Sequence, residues 1–210
     1  MPGTTPVYGF PYPEPTDLVA DYPALGQDLA EDIEAVLPTL GGLVPLSPTS
    51  IANSGGTASA SGATVTFTGT TTVSLNGIFS ATYDAYMLIY SVINSTTAEN
   101  WLRLRAAGTD SATNYNMRVG YFQSAYSSNT QNIYVRLGDN GTERTIFQVL
   151  IYNPFAAATT AIYACGNDGA TTSSFAAGGE HTAATSYDGI TLLQSTGTVT
   201  GKIRAYGLRG

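Results

Sequence analysis

Apolar and polar residues alternate along the chain from residue 63 onward, which is the pattern of half-buried β-strands. The clearest example is Trp101-Leu102-Arg103-Leu104-Arg105, where the arginines are expected on the solvent face. Tyr86–Ile93 is a nearly continuous apolar run rich in strand-forming residues. We predict strands at 63–68, 72–75, 86–93, 101–105, 115–122, 133–137, 146–152, 161–165, 190–193 and 199–208.

Turn residues separate the predicted strands. Asn76-Gly77 and Asp139-Asn140-Gly141 are typical of tight turns, and the second is predicted to join two strands as a hairpin. About ten strands at regular spacing, with no helical periodicity after residue 62, favour a β-sandwich. The predicted fold is therefore mainly β: a jelly-roll-like antiparallel β-sandwich over residues 63–210, preceded by an extended Pro-rich arm and one short α-helix.

Residues 21–37 show helical periodicity, with Asp21 suited to the N-cap, Pro23 to the first turn and Pro38 to the stop. An apolar stripe at spacings of three and four is formed by Tyr22, Leu25, Leu29, Ile33, Val36 and Leu37. A lone helix of this length is marginal in water, so the stripe must pack on the β domain or on copies of itself. We expect the second arrangement, a homo-oligomer with a trimer as its leading form, although the pattern does not choose between dimer and trimer.

Nine of the ten prolines lie in residues 1–48, which is the clearest compositional boundary in the chain. Because proline restricts its own φ and its predecessor, residues 1–20 are predicted to form an extended arm that does not fold on itself. Tyr8, Phe10 and Tyr12 would be left in water on a free arm, so we predict that they anchor the chain on a particle or a neighbouring subunit. Residues 38–62 are predicted to be a linker.

Charge is sparse and unevenly placed. Charged residues make up 11% of the chain, against about 25% in ordinary soluble domains, so Ser, Thr, Asn and Gly must form much of the surface. All eight Lys and Arg residues lie at or after Arg103 and are scattered, which argues against nucleic acid as a partner. No stretch is apolar enough for membrane insertion and no secretory signal is visible, so we expect synthesis and assembly in a cytoplasm.

Catalytic and metal-binding patterns are scarce. The single cysteine, Cys165, and the single histidine, His181, cannot make a Zn-type site or an intrachain disulfide. We predict that Cys165 is a small buried apolar residue and that His181 lies on the surface, with no nucleophile elbow to indicate a hydrolase. The acids lie in turn-like sequences and form no evident pair for glycoside cleavage. The chain is therefore predicted to be non-enzymatic, without cofactor or metal.

Tyrosine is over-represented, with fourteen copies in the chain. Four of them lie in or near predicted strands among Asn, Gln and Ser: Tyr115, Tyr121, Tyr126 and Tyr134. A tyrosine combines a large apolar ring with a hydrogen-bonding tip, which suits it to stacking on sugar rings or packing between subunits. These four are candidate ligand-facing residues, and half-buried core packing is the equally weighted alternative.

Three segments resemble a known family. Residues 8–17 (YGFPYPEPTD), followed by an acidic Ala/Leu-rich helix, look like the N-terminus of minor tail proteins of phages that infect actinobacteria. Residues 78–86 (IFSATYDAY) are similar to a motif in the C-terminal domains of that family, and residues 198–207 (TVTGKIRAYG) resemble its closing strand. The resemblance implies a virion protein of the tail tip or a fibre, commonly trimeric, with an N-terminal anchor and a distal β head. It implies no catalytic residues.

These observations leave three hypotheses about function. The first is a virion structural protein, a tail fibre or minor tail component that contacts other virion proteins; the lack of a long fibrous shaft keeps a capsid-decoration or head-fibre role open. The second is a host-attachment module whose β head binds cell-surface glycan. The third, which we do not favour, is a glycan-cleaving enzyme. The sequence identifies neither the host, nor the glycan, nor the position on the particle.

Overall fold

The chain divides into two compact units, Met1–Gly42 together with Gly210, and Leu43–Arg209. We call them the N-terminal unit and the head. The structure, a computed structural model, describes residues 3–4, 10–12, 22–36, 42–121, 129–131, 133–168 and 173–209.

The N-terminal unit contains two very short strands and a helix: β1 (Gly3–Thr4), β2 (Pro11–Tyr12) and α1 (Tyr22–Val36). Strands β1 and β2 pair antiparallel, with Gly3 opposite Tyr12 and Thr4 opposite Pro11. The prediction that the arm does not fold on itself is therefore wrong at these four positions. The physical reason is that the extended backbone favoured around prolines is also the backbone of a strand, and a proline is tolerated at a strand's unpaired side. The rest of the arm lies outside the described residues.

The head is built from strands. In chain order they are β3 (Gly42–Leu46), β4 (Ser50–Ser54), β5 (Thr57–Ser61), β6 (Thr64–Thr70), β7 (Thr72–Asn76), β8 (Ala85–Asn94), β9 (Ala98–Ala106), β10 (Thr109–Asp110), β11 (Tyr115–Tyr121), β12 (Asn129–Gln131), β13 (Val135–Asn140), β14 (Thr145–Tyr152), β15 (Thr160–Asp168), β16 (Ser173–His181), β17 (Gly189–Gln194) and β18 (Val199–Arg209).

Part of the segment predicted as a linker belongs to the head. Strands β3, β4 and β5 occupy residues 42–61, and β4 and β5 pair along their length with β7 and β6. The side chains of β4 and β5 are mostly small or polar and largely exposed, so the apolar alternation that marks a half-buried strand is absent from them. These strands are held by hydrogen bonds to the more apolar strands β6 and β7. Their own sequences therefore do not show that they are strands, because the stabilising partners lie elsewhere in the chain.

Over the described residues, the head strands form two antiparallel sheets. The six-stranded sheet has the order β10-β9-β17-β7-β4, and β13 also pairs with β9. The ten-stranded sheet has the order β12-β11-β16-β15-β14-β8-β18-β6-β5, and β3 pairs with β18. Consecutive strands often lie in opposite sheets, as β6, β7, β8 and β9 do. The architecture is the predicted jelly-roll-like antiparallel β-sandwich.

The hydrophobic core of the head lies between the two sheets. Alternate residues of β8 are buried along its whole length, and the same alternation in β9 places Leu102 and Leu104 in the core. Each fully buried side chain of this size stabilises the fold by roughly 1.5–3 kcal/mol. The period-two pattern of β8 and β9 therefore reflects burial of one face of each strand against the core, with the alternate residues on the outer face.

The turn around Asp139-Asn140-Gly141 does not make the predicted hairpin. Asp139 and Asn140 are the last two residues of β13, which pairs with β9 in the six-stranded sheet. The chain then continues through Gly141 to β14, which pairs with β8 and β15 in the ten-stranded sheet. The turn is therefore a crossing between layers. Turn residues reverse or bend the chain equally well in either setting, so the local signal could not distinguish them.

Candidate functional site

The predicted anchoring residues are only partly within the described chain. Phe10 is half-buried and Tyr12, at the end of β2, is exposed. Tyr8 lies outside the described residues. Anchoring by these rings stays a prediction, since no second subunit or particle protein is present.

The predicted helix stripe is unevenly covered within the single chain. Leu25 is buried and Leu29 is half-buried, whereas Tyr22 and Ile33 are exposed, Tyr22 at 42%. Val36 is the last residue of α1, and its side chain lies outside the described part. The exposed end positions leave apolar surface available to a partner, and homo-oligomer formation through this helix remains a prediction.

The four candidate ligand-facing tyrosines lie in different environments. Tyr115 is only 3% exposed; its hydroxyl accepts a hydrogen bond from Leu104 N at 2.8 Å and donates to Ser111 O at 3.1 Å. Tyr115 therefore belongs to the core, and its interpretation as ligand-facing is corrected: its strand parity points it inward. Tyr134 is also buried, Tyr121 is half-buried, and Tyr126 lies outside the described residues.

Trp101 and Tyr134 form an aromatic cluster on the six-stranded sheet. Their rings stack with centroids 4.2 Å apart and planes 12° from parallel. Trp101 Nε1 donates to Glu99 Oε2 at 2.7 Å, and Arg136 Nη2 forms an ion pair with Glu99 Oε1 at 3.0 Å. Both carboxylate oxygens and the indole N–H are thus used inside the cluster. A ligand bound here would have to displace existing contacts, so the cluster is better suited to holding β9 and β13 together.

Arg105 forms a second closed polar cluster on the same sheet. Its Nη1 lies 2.6 Å from Ser74 Oγ, 2.6 Å from Thr191 Oγ1 and 2.8 Å from Asp110 Oδ1 and shares its two hydrogens among these acceptors, while Nη2 donates to Gly108 O. Arg105 lies on the outer face of β9, as predicted, but its side chain is only 11% exposed and is not free in solvent. These bonds connect β7, β9, β10 and β17, and the charge of Arg105 is balanced by Asp110.

His181 is fully buried, and its predicted surface position is wrong. It ends β16 on the parity that points inward, which its Gly- and Glu-containing sequence context does not reveal. Its Nε2 lies 2.8 Å from Ser111 Oγ, and the Tyr187 hydroxyl lies 3.3 Å from the ring nitrogens. Burial lowers the pKa of His181 below its ordinary value of 6.5, so the ring is neutral at pH 7.

A histidine beside a serine hydroxyl is the pairing that hydrolases use to activate a nucleophile. Among the described residues no carboxylate hydrogen-bonds to the ring of His181, and the ring has no solvent-accessible surface. Substrate could not reach such a base without an opening of the fold. We therefore assign the Ser111–His181 contact to core packing, and the absence of enzyme activity stays a prediction.

The outer face of the ten-stranded sheet carries an open groove with a volume of about 370 Å³. Its lining residues include Arg118, Gly120, Tyr121, Tyr163, Ala176 and Gly178. Small residues of β11 and β16 form the floor, because Gly120, Ala176 and Gly178 occupy adjacent outward positions. The Tyr163 side chain is 47% exposed, and Arg118 is exposed as well. Unlike the two polar clusters, this groove has unused binding groups, so it is the candidate functional site.

Sequence reasoning placed Tyr121 among the ligand-facing candidates but missed Tyr163 and Arg118. Both lie in predicted strands, and parity alone could have assigned each of them to an outer face. Their proximity depends on β16, which lies between β11 and β15 and was not predicted. Its sequence, SSFAAGGEH, lacks the β-branched residues that usually mark a strand.

The described part of the chain contains no group of three or more His, Cys, Asp or Glu side chains placed to hold a metal ion. Cys165 is half-buried and lies on the outer face of β15. The prediction that it is buried as a small apolar residue is therefore wrong. No helix among the described residues has both the length and the apolar character to cross a membrane.

Comparisons with known proteins add little to this description. No protein family matches the sequence, and no curated protein matches it. Among solved structures, the chain is similar to the crystal structure of Caenorhabditis elegans galectin LEC-6, with 12% sequence identity and a TM-score of 0.32. That similarity covers 67% of this chain and 91% of the galectin. At this identity and TM-score it carries no information about site residues or function.

Proposed function

We propose that this chain is a structural component of a phage particle, most simply a tail fibre or minor tail protein. Its N-terminal unit would attach to other virion proteins, and its head would be displayed outward. The observation that carries this proposal is a difference in burial between the two units. The large apolar core lies within the head, whereas Tyr12 and Tyr22 of the N-terminal unit are exposed. A capsid-decoration or head-fibre position is the alternative within the same proposal.

Self-association through α1 is part of the proposal, with a homotrimer as its form. Exposed Tyr22 and Ile33 lie on the side of the helix that also carries Leu25 and Leu29. Burial of such a stripe on two neighbouring copies would remove apolar surface from water, at about 25 cal/mol per Å². The resemblance of residues 8–17 to phage tail proteins supports the same assembly.

The test is a deletion of residues 1–20 in the phage genome. We expect the truncated protein to accumulate with a folded head but to be absent from purified particles, because the anchor has been removed. A control variant replaces Tyr152 of the head, which is about as exposed as Tyr12 of the arm, with alanine. This variant should be incorporated normally. Incorporation of the deletion at the wild-type level would refute anchoring by this segment.

A second candidate function is host attachment through cell-surface glycan. One specific observation favours it: the groove on the ten-stranded sheet combines an exposed aromatic ring, an exposed arginine and a floor of small residues. Its volume falls within the roughly 300–1,000 Å³ of small-molecule sites. This function is compatible with the particle role, since an outward head is where an attachment site would be needed.

A further inference from the structure

The two binding groups of the groove are held in register across three strands. Tyr163 of β15 lies opposite Gly178 of β16, and Gly178 lies opposite Arg118 of β11. Two inter-strand spacings therefore separate Tyr163 from Arg118 in the backbone, or about 10 Å. The middle position carries no side chain, so a slot remains between an aromatic ring and a guanidinium. Rigid strands, rather than loops, set this spacing.

The exposed Tyr163 ring lies beside the floor of the groove. A Cβ at Gly178 would lie 3.7 Å from Tyr163 Cδ2, which places the ring edge beside the bare backbone of β16. The neighbouring outward positions on β16 and β11 are Ala176 and Gly120, so the floor stays low along the slot. A pyranose ring presents axial C–H groups on one face, and these pack favourably on an exposed aromatic ring.

Arg118 supplies an unused positive charge at the opposite wall. It is exposed, and within the described part of the chain it forms neither an ion pair nor a side-chain hydrogen bond. A guanidinium binds a carboxylate through two parallel hydrogen bonds, which is stronger than its bonding to neutral hydroxyls. None of the lining residues that the structure describes is an acid.

Charged residues are few on the outer face of the ten-stranded sheet, and Arg118 is the basic one among the described residues that line the groove. Among outward strand positions of the ten-stranded sheet whose side chains are described, the basic residues are Arg118, Lys202 and Arg204. The acid at such a position is Glu180, which lies one outward position beyond Gly178 on β16. Lys202 and Arg204 lie on β18, five strand spacings from β11, so Arg118 is the positive charge that the groove itself presents, and Glu180 lies diagonally across from it.

We propose that the groove is a subsite for an acidic saccharide, a sugar ring that carries a carboxylate. The ring stacks on Tyr163 over the floor at Gly178, and the carboxylate pairs with Arg118. This assignment rests on the host-attachment function proposed above and names its ligand class. It does not depend on where the protein sits on a particle.

The test is calorimetric titration of the full-length protein with uronic-acid disaccharides, each paired with the neutral hexose disaccharide of the same linkage. We expect binding of at least one uronic-acid disaccharide, and affinity weaker by about tenfold for its neutral partner, which loses the paired carboxylate. Tyr163→Ala should weaken uronate binding by about tenfold or more, while Tyr163→Phe keeps the ring and should remain within about threefold of wild type. Arg118→Gln should abolish the preference for the acidic member of each pair.

Matched controls separate the groove from the rest of the face. Tyr152→Ala removes a tyrosine of similar exposure, 43%, from the neighbouring strand β14, and Arg204→Gln removes an arginine from β18 on the same face. Both should bind like wild type. Gly178→Val fills the slot without changing charge and should abolish binding.

The outcomes distinguish the site from the function. Uronate binding that survives Tyr163→Ala and Gly178→Val, with unfolding midpoints unchanged, overturns the groove as the site but leaves glycan attachment standing. Equal affinity for acidic and neutral partners overturns the role of Arg118. Absence of binding to every saccharide in the panel overturns both the subsite and the attachment function, and leaves only the particle role.

Discussion

His181 shows how one residue can join separate parts of the head. Its ring packs edge-on against Tyr115 and Tyr187, at centroid distances of 4.5 and 5.0 Å, and its Nε2 meets Ser111 Oγ. These residues come from β16, β11 and the two segments that flank them. Because the imidazole is buried, protonation would place a charge where solvent cannot stabilise it.

We predict that His181 makes the stability of the head depend on pH below neutrality. The folded pKa lies below the unfolded value of 6.5, so the unfolded chain binds the proton more readily. The contribution of neutral His181 is fully present above pH 6.5 and is lost progressively as the pH falls through that value. Urea unfolding at pH 7.5 and 5.5 should therefore show a lower free energy of unfolding at pH 5.5.

His181→Gln supplies the control, because it keeps a polar side chain but cannot titrate in this range. The variant should be less stable at both pH values, yet its loss between pH 7.5 and 5.5 should be smaller than that of the wild type. An identical loss in both proteins would show that other groups, such as the carboxylates, cause the dependence.

At the scale of the element, β16 depends on glycine where two strands approach closely. A Cβ at Gly179 would lie 2.1 Å from Asn116 O and 2.9 Å from Met117 Cα, both in the backbone of β11. At Gly178, next along the strand but on the outer parity, the nearest contact is the ordinary 3.7 Å to Tyr163 Cδ2. Glycine at position 179 is therefore required by the close approach of the β11 backbone, whereas Gly178 leaves the groove open.

These neighbouring glycines make a matched pair of substitutions. Gly179→Ala should destabilise the head by roughly 1–3 kcal/mol, because the backbone of β11 must move to accept the methyl group. Gly178→Ala should change the free energy of unfolding by no more than about 0.5 kcal/mol. Urea unfolding of the two variants measures the difference, and equal losses would mean that β11 and β16 are further apart than described.

The outer faces of the strands explain why the candidate site was only partly predictable. The alternation in Tyr115–Tyr121 and Thr160–Asp168 indicates which side chains point outward, and it does so correctly for Arg118 and Tyr163. It does not indicate which strands are neighbours. Strand order is decided by long-range pairing, and the strand that connects these two has a glycine- and alanine-rich sequence with weak strand propensity.

At the scale of the whole molecule, the two units differ in how they are stabilised. The buried cluster that spans Val65–Ala205 belongs to the head, which therefore has its own core. The N-terminal unit has Leu25 as its buried apolar residue among those described. A unit with so little buried surface gains most from association with another copy or another protein.

Light scattering tests this difference. We expect the full-length protein to form a homo-oligomer, and a chain beginning at Leu43 to be a folded monomer with the same unfolding midpoint as the head of the full protein. The physical reason is that removal of the N-terminal unit leaves the sandwich core intact and takes away the exposed apolar helix. A stable full-length monomer of 21.9 kDa would contradict self-association. Unfolding of the shortened chain would contradict an independent head.

By itself, the sequence determined the parity of most strands, the helix from Tyr22 to Val36 and the all-β character of the head, because these depend on which residues recur at periods of two or near four along a few neighbouring positions. The tertiary structure alone decided the strand order, the layer to which each turn leads, the burial of His181 and the meeting of Tyr163 with Arg118. Those features arise from hydrogen bonds and packing between residues far apart in the chain. A local pattern carries no record of such partners, and strands as polar as β4, β5 and β16 acquire their structure from them.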